Sequence, residues 1–426
     1  MAVPVTTVPR LRQNIFSLQT KSDHGQDDET KPMETLLWAF HYKQKHIDSK
    51  NYDSYFKIAG YHGMPFRGAG WENPAWWGGY CNHGNVLFPT WHRAYLLRLE
   101  NALRRVEGCA DVALPYWDET SETTQNYGIP DIFLRKQVTI PTSIAKCSCS
   151  TSGNTKITIH NPLRSYKFQD GVWDNLNPVP DSNYSKPKGY ETKRYPFSGL
   201  VDSNDIGATV QHNKFVALLG DKGTENLLNQ NVINWLGQSI TLSTGEVLKM
   251  NTAFKYQECL KAPTYTVFSN TTSATQYNED HYYDNVEEGT YAPKAPTLPT
   301  VSLEGPHNDI HLAIGGFDIP GLGTFDSIIG ANGDMGENET AAFDLIFYFH
   351  HCFIDKVFWE WQKNWGCKEK LEIDVGYPGT NSVDYQGPTP GVPGNAWLTM
   401  ETPLAPFTKD DKEVGPPLTS NVSVIY

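Results

Sequence analysis

Nowhere in this chain of 426 residues do about 18 apolar side chains follow one another, so the sequence offers no membrane-spanning helix. Dense runs of Lys or Arg are missing as well. At a formal net charge of −13, the chain lacks the clustered cations that neutralise phosphates, which excludes nucleic acid as an expected partner. The N-terminal stretch MAVPVTTVPRLRQNIFSL has no charged region leading into an apolar one, so no signal peptide is read and the expectation is a cytoplasmic protein. Seven cysteines, an odd and irregularly spaced set, do not make a secreted disulfide framework. In that compartment the N-x-S/T sequons at Asn183, Asn270, Asn338 and Asn421 are chance occurrences.

What the chain has in quantity is rings and breakers: 12 Trp, 22 Tyr and 19 Phe beside 35 Gly and 28 Pro. That mixture predicts an enzyme with an aromatic core wrapped in long, rigid connections, not a repeat protein or a disordered one. Apolar periodicity predicts a helix from about Thr30 to His46, and a second through YDSYFKIAGYHG that closes at Gly60 or Gly63. AGWENPAWWGGYCNHG reads as a Gly- and Trp-rich loop. From Pro89 or Thr90 to Glu107 an amphipathic helix is expected, stopped by Gly108, with His92 in its first turn. CSCSTSGNTKITIH looks like a hairpin, and helical fragments fall around 204–220 and 224–236. GPHNDIHLAIGG begins a short helix after Pro306. ETAAFDLIFYFHHCFIDKVFWEWQKNW is expected to be one long helix, apolar on nearly every face and therefore buried. Residues 369–426 are rich in Pro and Gly and are predicted to wrap over the core.

Of the 13 histidines, His24, His41, His46, His160, His212 and His281 lie in polar or mixed surroundings. Six others form two groups: His62, His83 and His92, then His307, His311 and His351. His307 and His311 stand four residues apart on one helical face, with Cβ atoms roughly 5–6 Å apart. A zinc protease would need a Glu directly after the first His, and here Asn308 and Asp309 follow. His350 and His351 point about 100° apart on their helix, so at most one is expected to face the metal held by the short helix. Neither group has a carboxylate or thiolate triple, which disfavours hard cations and di-iron chemistry. All-imidazole sites suit copper or zinc. Two adjacent sites of this kind would leave open positions facing one another, where a small molecule could bridge.

The stretch HGNVLFPTWHRAYLLRLE resembles the copper-A motif of tyrosinases: His, four residues, Phe-Pro, any residue, Trp-His-Arg, and a Glu eight residues after that His. HNDIHLAIGG and FDLIFYFHHCFID resemble the two halves of the copper-B motif. The likeness extends over most of the chain and is closest to fungal tyrosinases. It implies two copper ions with O2 as co-substrate: copper A on His62, His83 and His92, copper B on His307, His311 and His351. His351 is selected over His350 because Asp355 follows it by four residues, which leaves His350 outside the direct ligands. Asp355 would orient a ligand ring or pair with Arg93. Phe88 and Phe347 match aromatics that pack on copper ligands. The likeness also implies a thioether from Cys81 to His83, the alternative being a buried free thiol. One departure is Leu345, where the family usually has Pro; no loss of site geometry is expected from it.

The implied activity is ortho-hydroxylation of monophenols and oxidation of o-diphenols to o-quinones, as in melanin formation, on substrates such as L-tyrosine, L-DOPA and catechols. In the family a Glu and an Asn at the places of Glu304 and Asn308 hold a water that accepts the phenol proton; the other reading of Glu304 is a cap on the helix near Pro306. Activity is expected to fall below the ~6.5 reference pKa of histidine. Competing readings are a catechol oxidase or o-aminophenol oxidase, a haemocyanin-like oxygen carrier and, more distantly, a zinc hydrolase. ANGDMGENET is expected to border copper A. Because residues 62–92 and 307–351 must meet, residues 1–426 are expected to form one mainly α domain with an antiparallel four-helix core and a few short peripheral strands. The covering C-terminal domain of family members has no counterpart here, so an open site is expected. A homodimer is left open.

Overall fold

The computed structural model describes residues 11–26, 31–74, 77–145, 155–174, 184–200, 206–237, 240–241, 247–248, 251–284, 292–293, 299–316, 318–319, 323–324, 331–381, 396–407 and 418–420. Thirteen α-helices run through them. The N-terminal half holds Ile15–Asp23 (α1), Pro32–Lys45 (α2), Tyr55–Gly60 (α3), Phe88–Arg104 (α4), Glu122–Tyr127 (α5) and Thr142–Ala145 (α6). The remainder holds Ile206–Ala217 (α7), Gly220–Gly237 (α8), Thr252–Cys259 (α9), Tyr265–Ser269 (α10), Thr271–Tyr282 (α11), Glu304–Gly315 (α12) and Ile346–Asn364 (α13). Strands are short and antiparallel, so the fold is mainly α, as expected. Gln137–Pro141 (β1) pairs with Lys156–His160 (β2), and three further ribbons have two residues a side. None of the described helices is long and apolar enough to cross a membrane.

The core forms where α13 packs on α4, and α4 on α2 and α3. Both long helices bury nearly every face, and each fully buried Leu or Phe stabilises the fold by about 1.5–3 kcal/mol. Buried hydroxyls then fix how these helices meet. Tyr95 Oη on α4 donates to Ile58 O at 2.8 Å and lies 3.0 Å from Tyr348 Oη on α13. Tyr55 Oη donates to Ala342 O at 3.1 Å. The end of α3 is thereby held against the approach to α13. α12 closes the assembly by packing on α8 and α9.

Two local expectations are corrected. The long helix does not begin at Glu339: Ala341–Phe343 form a 3-10 turn and Asp344 is extended (φ −79°, ψ 127°), so α13 starts at Ile346. Asp344 stops the run because its carboxylate serves elsewhere, taking Arg194 Nε and Nη2 at 2.7 and 2.6 Å and the Ile346 N–H at 3.1 Å. Of the hairpin read in CSCSTSGNTKITIH, the described residues hold the strand Lys156–His160. Its partner is Gln137–Pro141, and Cys147 and Cys149 lie outside the described residues.

The described parts of the C-terminal stretch lie along α4. Val86 N–H donates to Gly379 O, Trp91 Nε1–H to Ala405 O, and Phe407 packs 5.8 Å from the Trp91 ring. Asp355 accepts from Arg93 Nε at 2.5 Å and Arg12 Nη1 at 2.6 Å, so its ion-pair reading holds.

Leu345 has φ −61°, the angle a proline ring imposes, and extended Asp344 is what precedes a proline. Leu345→Pro should therefore leave stability unchanged or raise it by up to ~1 kcal/mol. Asp344→Ala strands a buried guanidinium and should cost about 3–5 kcal/mol. Urea midpoints of the two variants check both.

Candidate dinuclear metal centre

His62 sits in the turn that follows α3, and its Nδ1–H donates to Asn338 O at 3.0 Å. Only glycine at position 63 allows that turn to approach, because a Cβ there would lie 2.3 Å from Glu339 O. His92, in the first turns of α4, donates from Nδ1 to Phe88 O at 2.8 Å. His311 on α12 donates from Nδ1 to Met335 O at 2.8 Å, and His307 Nδ1 meets Asn308 Oδ1 at 2.9 Å. A carbonyl only accepts, so the proton of each such ring is on Nδ1 and Nε2 carries a lone pair.

Those lone pairs converge. His62, His83 and His92 bring one ring nitrogen each within 4.8 Å of one another, and His307, His311, His350 and His351 form a second such set. Nε2 of His62 and of His92 is buried without a hydrogen-bond partner. Nε2 of His351 lies 3.3 Å from that of His307 and 3.4 Å from that of His311. Nε2 of His307 and of His311 are both acceptors, so a proton on His351 Nε2 would serve them only as one shared hydrogen bond. A cation at the usual metal–imidazole distance holds its nitrogens ~3.3–3.4 Å apart, so the spacing fits a metal.

The two sets face each other. The His92 and His351 rings stack at 4.5 Å and 15°, and His83 lies 5.7 Å from His307. Phe88 touches His83 and His92 on one side and His307 on the other; Phe347 touches His62 as well as His311 and His351. Burial pushes every one of these rings below the ordinary imidazole range, His83 and His311 to about 3 and the others well below 6.5, with charge on neighbouring rings adding to it. Dry surroundings keep the folded rings neutral to far lower pH.

Other expected residues take definite places. Glu304 is buried, and burial raises its pKa. Its Oε1 accepts from Gly84 N–H at 2.8 Å; its Oε2 accepts from the N–H and hydroxyl of Thr271 at 2.8 and 2.9 Å. It caps α11, not its own helix. Asn308 is exposed beside His307. Cys81 is buried, its Sγ 3.9 Å from the Asn338 side chain, and Gly78 (φ +73°) leaves it room that a Cβ would take. The segment 331–340 borders not one set but both, through Asn338 O and Met335 O.

Sequence reasoning missed these two carbonyls, which carry no side-chain signature, and Glu119, whose Oε1 meets His350 Nδ1 at 2.5 Å. The expectation that only one of His350 and His351 faces the short helix is corrected. Their rings lie 5.0 Å apart at 71°, and both reach His307 and His311 because the flat rings span the angle between adjacent positions.

A family model described as the common central domain of tyrosinase matches residues 52–364. A tyrosinase of Aspergillus oryzae is 50% identical over 374 residues, covering 87% of this chain and 65% of that protein. A tyrosinase of a Hahella species is 44% identical over 425 residues, covering 96% and 70%. The chain thus spans about two thirds of the length of these relatives. Among solved structures, the tyrosinase of Burkholderia thailandensis superposes with a TM-score of 0.77 at 41% identity, over 98% of this chain and 73% of that one. A copper-bound mutant of active Aspergillus oryzae tyrosinase complexed with L-tyrosine shares the fold, at TM-score 0.57 and 19% identity over 85% and 82%.

The depressed ring pKa values make a prediction for the metal-free protein. Below about 6.5 the unfolded chain binds protons that the folded rings refuse, so stability should be lost as pH falls from 6.5 toward 3. Each ring contributes up to ~1.4 kcal/mol per pH unit across that window. Urea midpoints between pH 7.5 and 4.5 should fall steadily, and less steeply in His83→Gln.

Proposed function

The chain belongs to the tyrosinase family, and from that premise we propose that it is a copper-dependent phenol oxidase, hydroxylating monophenols at the ortho position and oxidising o-diphenols to o-quinones with O2. The observation that carries the proposal is the pair of all-imidazole sets turned toward each other. His62, His83 and His92 are the ligands of copper A, and His307, His311 and His351 those of copper B. Bound there, the two ions would supply the redox chemistry that activates O2 and withdraws electrons from the phenol. Acceptors on Nδ1 of His62, His92, His307 and His311 hold those four rings in the ligating tautomer. Phe88 and Phe347 brace rings of both sets and keep water from them. The substrates are phenols such as L-tyrosine, L-DOPA and catechols, a class supported by the L-tyrosine complex of the Aspergillus fold neighbour.

For monophenols a proton must leave the hydroxyl, and the proposed acceptor is a water held by Glu304 and Asn308. Glu304 bonds the backbone beside His83 and shares α12 with His307, which supports a position at the seam of the two sets. One observation favours a second reading. Three donors already hold the Glu304 carboxylate and leave it little free acceptor capacity for a water, which suits a catechol oxidase or o-aminophenol oxidase. Glu304→Gln separates them. The L-tyrosine rate should fall at least ~10-fold further than the L-DOPA rate at equal copper content, in line with general-base losses. Equal losses would leave the catechol oxidase.

Copper content tests the ligand sets. The protein should bind two ions, and His62→Ala or His351→Ala one each, by elemental analysis after dialysis. The Cys81–His83 thioether is supported by the burial of Cys81 two residues from His83. Its formation removes the thiol and ring hydrogens and passes two electrons to O2. The peptide spanning both residues should be two hydrogens lighter than its linear mass and should resist alkylation.

A further inference from the structure

The helix α7 is built inside out. The side it turns toward the body of the protein is largely polar. Thr209 is buried, and His212 donates from Nε2 to Pro196 O at 2.7 Å. The Asn213 side chain accepts from Ser198 N–H at 2.8 Å and donates to Ser198 O at 2.9 Å. Val216 is the one buried apolar residue of the helix.

Apolar side chains face the other way. Ile206, Val210 and Phe215 are exposed, as are Leu218 and Leu219 in the turn that joins α7 to α8, with Phe215 open to 70% and Leu218 to 82%. A surface helix ordinarily sets its apolar stripe against the core and its charges in water. Lys214 is the one charged residue between 206 and 219, whereas charged residues make up 19% of the chain. Together the five apolar side chains leave on the order of 500 Å² open, the upper end of what a monomer shows. Scattered exposed apolar residues need no explanation, but a set gathered on one helix does.

We propose that this face of α7 is a docking surface for a second copy of the same chain, with two α7 helices packed across a two-fold axis. Such a contact requires a patch that matches itself, and an apolar helix with almost no charge does so. With the exposed backbone and alanines beside them, the five side chains approach the ~800 Å² per partner of a standard interface. Charge points to the same occupant. The chain carries a net −13, so two copies repel each other least where they meet through this stretch. Helices that dock on lipid carry Lys and Arg along their polar face, and α7 has Lys214 alone. Since α7 rests on α8 and α8 on α12, the interface lies one helix away from the helix of His307 and His311.

Sedimentation velocity of the full chain between ~1 and ~100 µM should show a species of twice the single-chain mass that grows with concentration. Phe215→Glu and Leu218→Glu should each weaken association by at least ~30-fold, as the loss of a buried interface anchor does. Gly207→Glu is a probe of the contact and not of the fold, because a Cβ at that position meets nothing within 4 Å. It should separate the copies and leave the melting temperature of dilute protein unchanged. Val375→Glu, an open apolar position beside the Asp374 N–H that bonds Thr266 of α10, should leave association as it is. A species of single-chain mass across the whole range, or paired copies indifferent to all three α7 substitutions, would overturn the inference. So would a monomer that sediments with phosphatidylcholine vesicles, which would give the face to a lipid surface.

Discussion

A lone pair on an imidazole Nε2 exists only while the proton stays on Nδ1 and no second proton arrives. Much of the molecule serves those two conditions. Carbonyls of Phe88, Met335 and Asn338 hold the Nδ1 protons, and burial makes a charged ring too costly to form. Neither condition suffices alone. Buried rings without acceptors could turn Nε2–H inward, and exposed rings with acceptors would take up protons near pH 6.5. Together they present converging lone pairs suited to a cation.

The cost of gathering so many unsatisfied nitrogens must be met by packing elsewhere. Fully buried Trp91, Tyr95, Phe347 and Tyr348 surround the rings; the Trp91 indole N–H and the Tyr95 hydroxyl find carbonyl partners, and the Tyr348 hydroxyl pairs with that of Tyr95. Ion pairs of Arg194 with Asp344 and of Arg93 with Asp355 clamp the start and the middle of α13. Such pairs contribute little over apolar contacts in net stability, but losing one partner is expensive, so they fix register more than they add strength. Register matters here because a shift of one residue along α13 would exchange His350 for His351.

Much of this was legible in the sequence. The two histidine groups, α4, α12 and the body of α13 follow from side-chain spacing, which is what a periodic helix exposes to a reader. What escaped depends on groups without such a pattern. Every chain position has a carbonyl, so nothing marks Met335 or Asn338 as the ones that meet ring nitrogens. Asp344 ends the helix through a tertiary partner 150 positions away, and local propensity cannot report that. The β1 partner of KITIH was missed because it ends at Pro141, ahead of the stretch in which the hairpin was read. His350 was set aside in favour of His351 on the family's spacing to Asp355, and the angle between adjacent helix positions carries no information on how far a ring reaches beyond its Cβ.

The spacing between the two histidine sets is itself a property of the protein. Phe88 and Phe347 each touch rings of both sets. The segment 331–340 lends one carbonyl to each, and Glu304 joins the loop of His83 to the helix of His307. Four independent links cross the gap, contributed by α4, α12, α13 and a loop. Moving either set would strain all of them, and close-packed interiors resist such displacement. The metal ions therefore do not choose their separation by attraction or repulsion; they take the one the chain has built, and a bridging molecule meets a gap whose width was decided during folding.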